Sequence, residues 1–138
     1  MDNCIFCKIA NGLIPSATVY EDEDFRIILD MNQKIRGHML ILPKQHYANL
    51  YELPPQLAAK AMLLAQKAAK ACQKTMDIDG LNLLQNNGEA AGQSVMHFHL
   101  HVLPRKKGDD PKFPAWDEES ISSEEMKELA DKLSQQLS

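Results

Sequence analysis

His97-Phe98-His99-Leu100-His101-Val102-Leu103-Pro104 is the stretch on which the reading of this chain turns. In an extended strand successive side chains point to opposite faces. The alternation therefore puts three imidazoles on one face and Phe98, Leu100 and Val102 toward a core. A strand is expected over 96–103, with His99 facing solvent so that its substitution leaves folding nearly intact. Each two-residue step advances about 6.6 Å, so the row of rings extends roughly 13 Å, room for a phosphoryl group and its leaving group. Imidazole titrates near neutral pH and can act as nucleophile, general acid or hydrogen-bond donor. The bland alternative is polar surface, but three of the chain's five histidines stand in strict alternation here. A row that only binds zinc is disfavoured, because neighbouring in-strand positions are too far apart to share one ion with bonds near about 2.1 Å.

Outward from this strand, the opening residues 3–12 read as a short helix, capped by Asn3 and stopped at Gly12. Strands are expected over 18–21, 25–30 and 38–42, the first two joined by the acidic turn Asp22-Glu23-Asp24 and the third bounded by Gly37 and Pro43. Leu53-Pro54-Pro55 opens the longest helix, whose apolar positions Ala58, Ala61, Met62, Ala65, Ala68, Ala69 and Cys72 recur at helical spacing. A strand at 81–85 and the loop 86–93 lead back to the histidines. A final helix begins near Ser122, which stands at capping-box spacing from Glu125, and Met126, Leu129, Ala130, Leu133 and Leu137 form its apolar stripe. The polar, proline-bearing stretch 105–114 is expected to leave the core as a loop or arm. Strands grouped around a single long helix favour an α+β fold with a five-stranded antiparallel sheet and shorter terminal helices over alternating βαβ units.

The 138 residues, 44% hydrophobic and 25% charged, suit one globular domain over 1–138, with 1–12 as its N-terminal helix and 105–138 as a C-terminal arm and helix. The longest apolar run, 61–65, is far short of the roughly 20 residues that a membrane span needs. Neither a membrane partner nor a secretory leader is expected. Fifteen basic and nineteen acidic side chains give a net charge of -4, which offers no wide positive field to nucleic acid. A small phosphorylated ligand is compatible with that charge. Three cysteines, an odd number, argue for a reducing compartment, and the cytoplasm is the expected location.

The histidine stretch resembles the signature of the histidine triad (HIT) family, His-φ-His-φ-His-φ-φ with φ apolar, at every position from 97 to 103. Cys4-Ile5-Phe6-Cys7-Lys8-Ile9, Gly37-His38-Met39-Leu40-Ile41-Leu42-Pro43-Lys44-Gln45-His46 and residues 86–104 extend the resemblance over most of the chain. Gly92-Gln93-Ser94 is similar to the Hint branch, nucleoside phosphoramidate hydrolases. The tail 103–108 is also similar to the branch that cleaves dinucleoside polyphosphates. The resemblance implies a HIT-like fold and a covalent nucleotidyl intermediate on His99, with His101 on the phosphate oxygens and Ser94 protonating the leaving amine. Gln93 and nearby backbone N–H groups would steady phosphoryl charge. Asn86 would contact the ligand near its phosphate, and Asp30 would hold the ribose hydroxyls. Both are also good turn residues. Ile5, Phe6, Ile9, Ile28 and Met31 would sandwich a purine, though spacing alone makes them core.

Cys4 and Cys7, at C-x-x-C spacing, supply half of a tetrahedral metal site, or else a reduced or redox-active dithiol. By the resemblance to bacterial-type members, His46 and His97 complete a structural zinc site. His38 has no such claim and reads as a strand residue. The resemblance further implies a homodimer formed by two sheets edge to edge, and a purine nucleotide or nucleoside phosphoramidate as partner. The rival functions are a dinucleoside polyphosphate hydrolase and a zinc-stabilised nucleotide-binding module with incidental turnover.

Overall fold

The computed structural model describes residues 3–109 and 120–137. Five strands form one sheet: β1 (Thr18–Glu21), β2 (Phe25–Leu29), β3 (Met39–Pro43), β4 (Gly80–Leu84) and β5 (Leu100–Arg105). Their spatial order is β1-β2-β3-β5-β4, with every neighbouring pair antiparallel. Helices α1 (Ile5–Ala10), α2 (Pro55–Thr75) and α3 (Ser123–Leu137) complete the fold, which is the α+β architecture expected. None of the described helices is long and apolar enough to cross a membrane.

Strand alternation sorts the core into two layers. Phe25, Ile27, Met39, Ile41, Phe98, Leu100 and Val102 pack against Ala61, Leu64, Ala65, Ala68 and Cys72 of α2. The alanines let the helix lie close to the sheet. On the opposite face Ile28, Leu40 and Leu42 meet Ile9 and Ala10 of α1, with Phe6 and Ile14 packed around them. β3 is buried along its whole length because both faces are covered. His101 pairs with Leu40, so it belongs to the α1 face.

The histidine strand starts later than the alternation predicts. β5 begins at Leu100; His97 lies in a bend and His99 in the irregular residues between that bend and the strand. The Phe98 N–H donates to the Tyr47 carbonyl at 2.6 Å and the His97 N–H to the Val95 carbonyl at 2.8 Å. These bonds to a loop and a tight turn replace a regular ladder, while the facing of the side chains survives. Smaller boundary shifts have similar local causes. Cys4, not Asn3, caps α1, its sulfur accepting the Cys7 N–H at 3.4 Å.

Lys60 of α2 ties down the β1–β2 turn, with Nζ 2.8 Å from Asp24 and 3.1 Å from Asp22. Ser122 caps α3 as expected, accepting the Glu125 N–H at 3.1 Å. The stripe of α3 is nonetheless open, since no residue of this helix is buried. The arm expected over 105–114 is described only as far as Asp109, which clasps the Arg105 guanidinium at 2.6 and 2.9 Å. Residues 110–119 lie outside the described residues.

Gly37, just before His38, has φ +88°, and a Cβ there would meet Met76 Sδ at 2.8 Å and Pro104 Cγ at 3.2 Å. Met76 can swing aside, so the backbone conformation supplies most of the cost of a side chain. Gly37→Ala is expected to lower stability by about 1–2 kcal/mol in urea unfolding; an unchanged midpoint would contradict this reading of the turn.

Candidate active site

His99 is delivered by the irregular residues before β5 onto the α1 face, where the Phe6 ring meets it edge-on at 4.9 Å between centroids. Its Nδ1 lies 2.7 Å from the His97 carbonyl oxygen. A carbonyl only accepts, so Nδ1 carries the proton and Nε2 keeps its lone pair. Desolvation by burial lowers the His99 pKa, outweighing the upward pull of that hydrogen bond. The ring is therefore neutral at pH 7, the form in which an imidazole attacks an electrophile. One expectation fails here: His99 is 4% exposed rather than solvent-facing, because Phe6 and the neighbouring histidines close over it. A cavity of about 890 Å³ opens elsewhere, among Lys34, Arg36, Met76, Ile78 and Pro104, and no histidine lines it.

His101 stands beside His99 with ring centroids 5.0 Å apart. Its Nδ1 is 2.9 Å from Nε2 of His38, and Nδ1 of His38 is 3.6 Å from Asp30 Oδ2. Desolvation carries His101 down to about 4, helped by its histidine neighbours, and it lowers His38 as well. His38 is thus the site residue that sequence reasoning missed. Its position beside β3, one strand over from His101, becomes informative only once β3 and β5 are known to pair. Asp30 does hold a turn, accepting the Asn32 N–H on Oδ1 at 2.8 Å, yet its other oxygen faces His38.

Cys4, Cys7, His46 and His97 form a second cluster whose ligand atoms all lie within 4.8 Å of one another. Nδ1 of His97 is 3.4 Å from both sulfurs, and Nδ1 of His46 is 3.3 Å from Cys7 Sγ. A tetrahedral zinc ion would separate its sulfur and nitrogen ligands by about 3.6 Å, so the donor set fits. Nε2 of His97 donates to the Pro43 carbonyl at 2.9 Å, which leaves Nδ1 as the free ligand atom. Burial lowers His97 to about 4 and raises the Cys7 thiol. A cation is the species that would stabilise thiolate in such a place.

The loop 86–95 arrives on the same side. Gln93 is buried, and its amide is fully engaged: Oε1 accepts the Gly88 N–H at 2.8 Å, while Nε2 donates to Ala48 at 2.6 Å and Val95 at 3.0 Å. These bonds tie the loop to itself and to Ala48. Asn86 is half-buried next to Gly92, where a Cβ would stand 3.8 Å from its Nδ2. Ser94 is exposed. Of the apolar set, Ile9 and Ile28 are buried between α1 and the sheet, Phe6 packs over them, and Ile5 is half exposed. Met31 is 98% exposed.

Comparison with known proteins agrees with this geometry. The HIT domain family matches residues 11–108. Protein hit of Bacillus subtilis is 50% identical over 109 residues, 78% of this chain and 75% of that protein. The adenosine 5'-monophosphoramidase hnt1 of Schizosaccharomyces pombe is 35% identical over 135 residues, 98% of each chain. The crystal structure of a HIT family protein from Bacillus anthracis superposes with a TM-score of 0.90 at 39% identity, covering 98% of this chain and 97% of that one. A zinc-bound histidine triad family protein from Mycobacterium smegmatis superposes with a TM-score of 0.76 at 42% identity, over 81% of each.

The buried histidines set the acid stability. His101 has a folded-state pKa of about 4 against about 6.5 when unfolded, so between those values the unfolded chain binds the extra proton. Stability is full above pH 6.5 and falls as pH drops toward 4, with His101 alone contributing on the order of 2 kcal/mol. Urea midpoints measured across this range should fall with acid for the native protein and fall less for His101→Gln. Equal slopes would show that His101 is not the titrating group.

Proposed function

The chain belongs to the HIT domain family, and from that premise we propose that it hydrolyses purine nucleoside phosphoramidates at the α-phosphorus through a nucleotidyl intermediate on His99. The observation that carries this reading is the bond between His99 Nδ1 and the His97 carbonyl. It aims a bare Nε2 away from the backbone, and no group has to remove a proton before attack. The phosphoramidase relative supports the substrate class.

In the proposed sequence Nε2 of His99 bonds to phosphorus as the P–N bond of the substrate breaks, and the departing amine takes a proton from Ser94. His101 hydrogen-bonds the phosphoryl oxygens, where charge accumulates. Water then attacks the same phosphorus and gives a proton to Ser94, restoring the hydroxyl, while the P–N bond to His99 breaks, Nε2 recovers its lone pair and a nucleoside monophosphate leaves. Asp30 would hold the ribose hydroxyls and Asn86 the phosphate, while Ile5, Phe6, Ile9 and Ile28 would form the apolar wall for the base.

Zinc fits Cys4, Cys7, His46 and His97 as a structural ion, because four protein ligands leave no open position for water. It would pin α1 to the end of β3 and to the residue whose carbonyl orients His99. We read residues 1–138 as one HIT domain that acts as a homodimer. The free edge of β4 and the open stripe of α3 are the surfaces a second copy would cover. Three cysteines, an odd number, suit a reducing compartment, and the cytoplasm is the proposed location.

Comparing kcat/KM for adenosine phosphoramidate and a diadenosine polyphosphate tests the substrate class; a strong preference for the second would replace this reading. His99→Ala should cut turnover by at least about a thousandfold and stability by about 1 kcal/mol, for the buried hydrogen bond it removes. Full activity in that variant would end the mechanism. Elemental analysis should find one zinc per chain, and Cys4→Ser should lower Tm far more than kcat. Protein purified without chelator and free of zinc would rule out the ion.

A further inference from the structure

Asp30, His38 and His101 form a chain of groups with one proton position too many for its neutral state. A carboxylate accepts hydrogen bonds but cannot donate them, so the nitrogen facing Asp30, Nδ1 of His38 at 3.6 Å, is the one that favours a proton. Neutral His38 then has a bare Nε2, which accepts from Nδ1–H of His101 across 2.9 Å. Neutral His101 in turn has a bare Nε2. The empty site thus presents unprotonated nitrogens on both His99 and His101. That suits the nucleophile and opposes the other role, since a lone pair on His101 Nε2 would repel a phosphoryl oxygen.

We propose that His38 is a positioning residue which, backed by Asp30, lets the His38–His101 pair take up one proton when an anionic ligand binds, turning His101 Nε2 from an acceptor into a donor. The inference rests on the proposed function, in which a phosphoryl group occupies the site. In the loaded state His38 Nδ1–H faces the carboxylate, a single proton bridges the two rings, and Nε2–H of His101 points to the ligand. The proton comes from solvent on binding and returns to solvent on release.

The surroundings agree. The groups acting on the pair are the Asp30 carboxylate, from the turn after β2, and the His99 ring, from the irregular residues before β5. Asp30 favours the extra proton. Burial and the neighbouring imidazoles oppose it, so the empty pair is neutral at pH 7. A bound anion adds the negative charge that reverses this balance. His99 stays out of the exchange, because the His97 carbonyl holds its one proton on the far nitrogen.

Calorimetric titration with adenosine 5'-sulfate, whose single charge does not titrate, measures the uptake when repeated at pH 6.5 in buffers of different ionisation enthalpy. The native protein should take up between about one half and one proton per site. His38→Gln can still bond His101 Nδ1 but cannot carry the charge, so it should bind the ligand with uptake abolished. Binding without uptake in the native protein overturns the inference and spares the proposed function; absence of binding removes both. Unchanged uptake in His38→Gln also overturns it. Should that variant not fold, Asp30→Asn keeps both rings: reduced uptake supports the inference and full uptake contradicts it.

Discussion

The carbonyl of His97 accepts the Nδ1–H of His99 at 2.7 Å, and this bond holds its direction only because His97 is itself held on every side. Its Nε2 is bonded to Pro43 at the end of β3, and its Nδ1 faces the sulfurs of Cys4 and Cys7. The side chain belongs to the cysteine cluster and the backbone oxygen to the His99 ring. One residue thereby links the cysteine and histidine cluster to the tautomer of its second neighbour. A loose His97 would let His99 rotate or exchange tautomers, and Nε2 would no longer be the bare nitrogen.

Burial does the rest of the electrostatic work. His97, His99, His101 and His38 are all pushed below their ordinary pKa by desolvation, so the rings stay neutral without any cation to repel their protons. Against that apolar background the Asp30 carboxylate is the charge that acts on His38 and His101. Charges in such surroundings act more strongly than in water. The same low dielectric keeps His99 neutral and, in the proposed function, makes the protonation of His101 responsive to a bound anion.

Much of this was legible in the sequence because period-two alternation and helical periodicity report which face a side chain takes. His97, His99 and His101 do share the α1 face, and Phe98, Leu100 and Val102 the α2 face, although the ladder starts only at Leu100. Cys4 and Cys7 do meet His46 and His97. What the sequence withheld depends on non-local contacts. His38 reaches His101 because β3 and β5 are adjacent, an order no local pattern encodes. Gln93 has the right chemistry for a phosphoryl contact, yet it makes two hydrogen bonds to its own loop and a third to Ala48, contacts no local pattern reports. The burial of His99 comes from α1 folding across the sheet, and the exposure of α3 is invisible in a stripe that reads like any amphipathic helix.

The central claim is that His99 Nε2 forms a bond to phosphorus. Rapid mixing of the protein with adenosine phosphoramidate, acid quench within milliseconds, and intact-mass analysis with peptide mapping tests it directly. The account predicts a transient adenylyl adduct on the peptide carrying residues 97–105, localised to His99 and absent from His97 and His101. Steady turnover with no adduct at any time point, or an adduct on another residue, would contradict it.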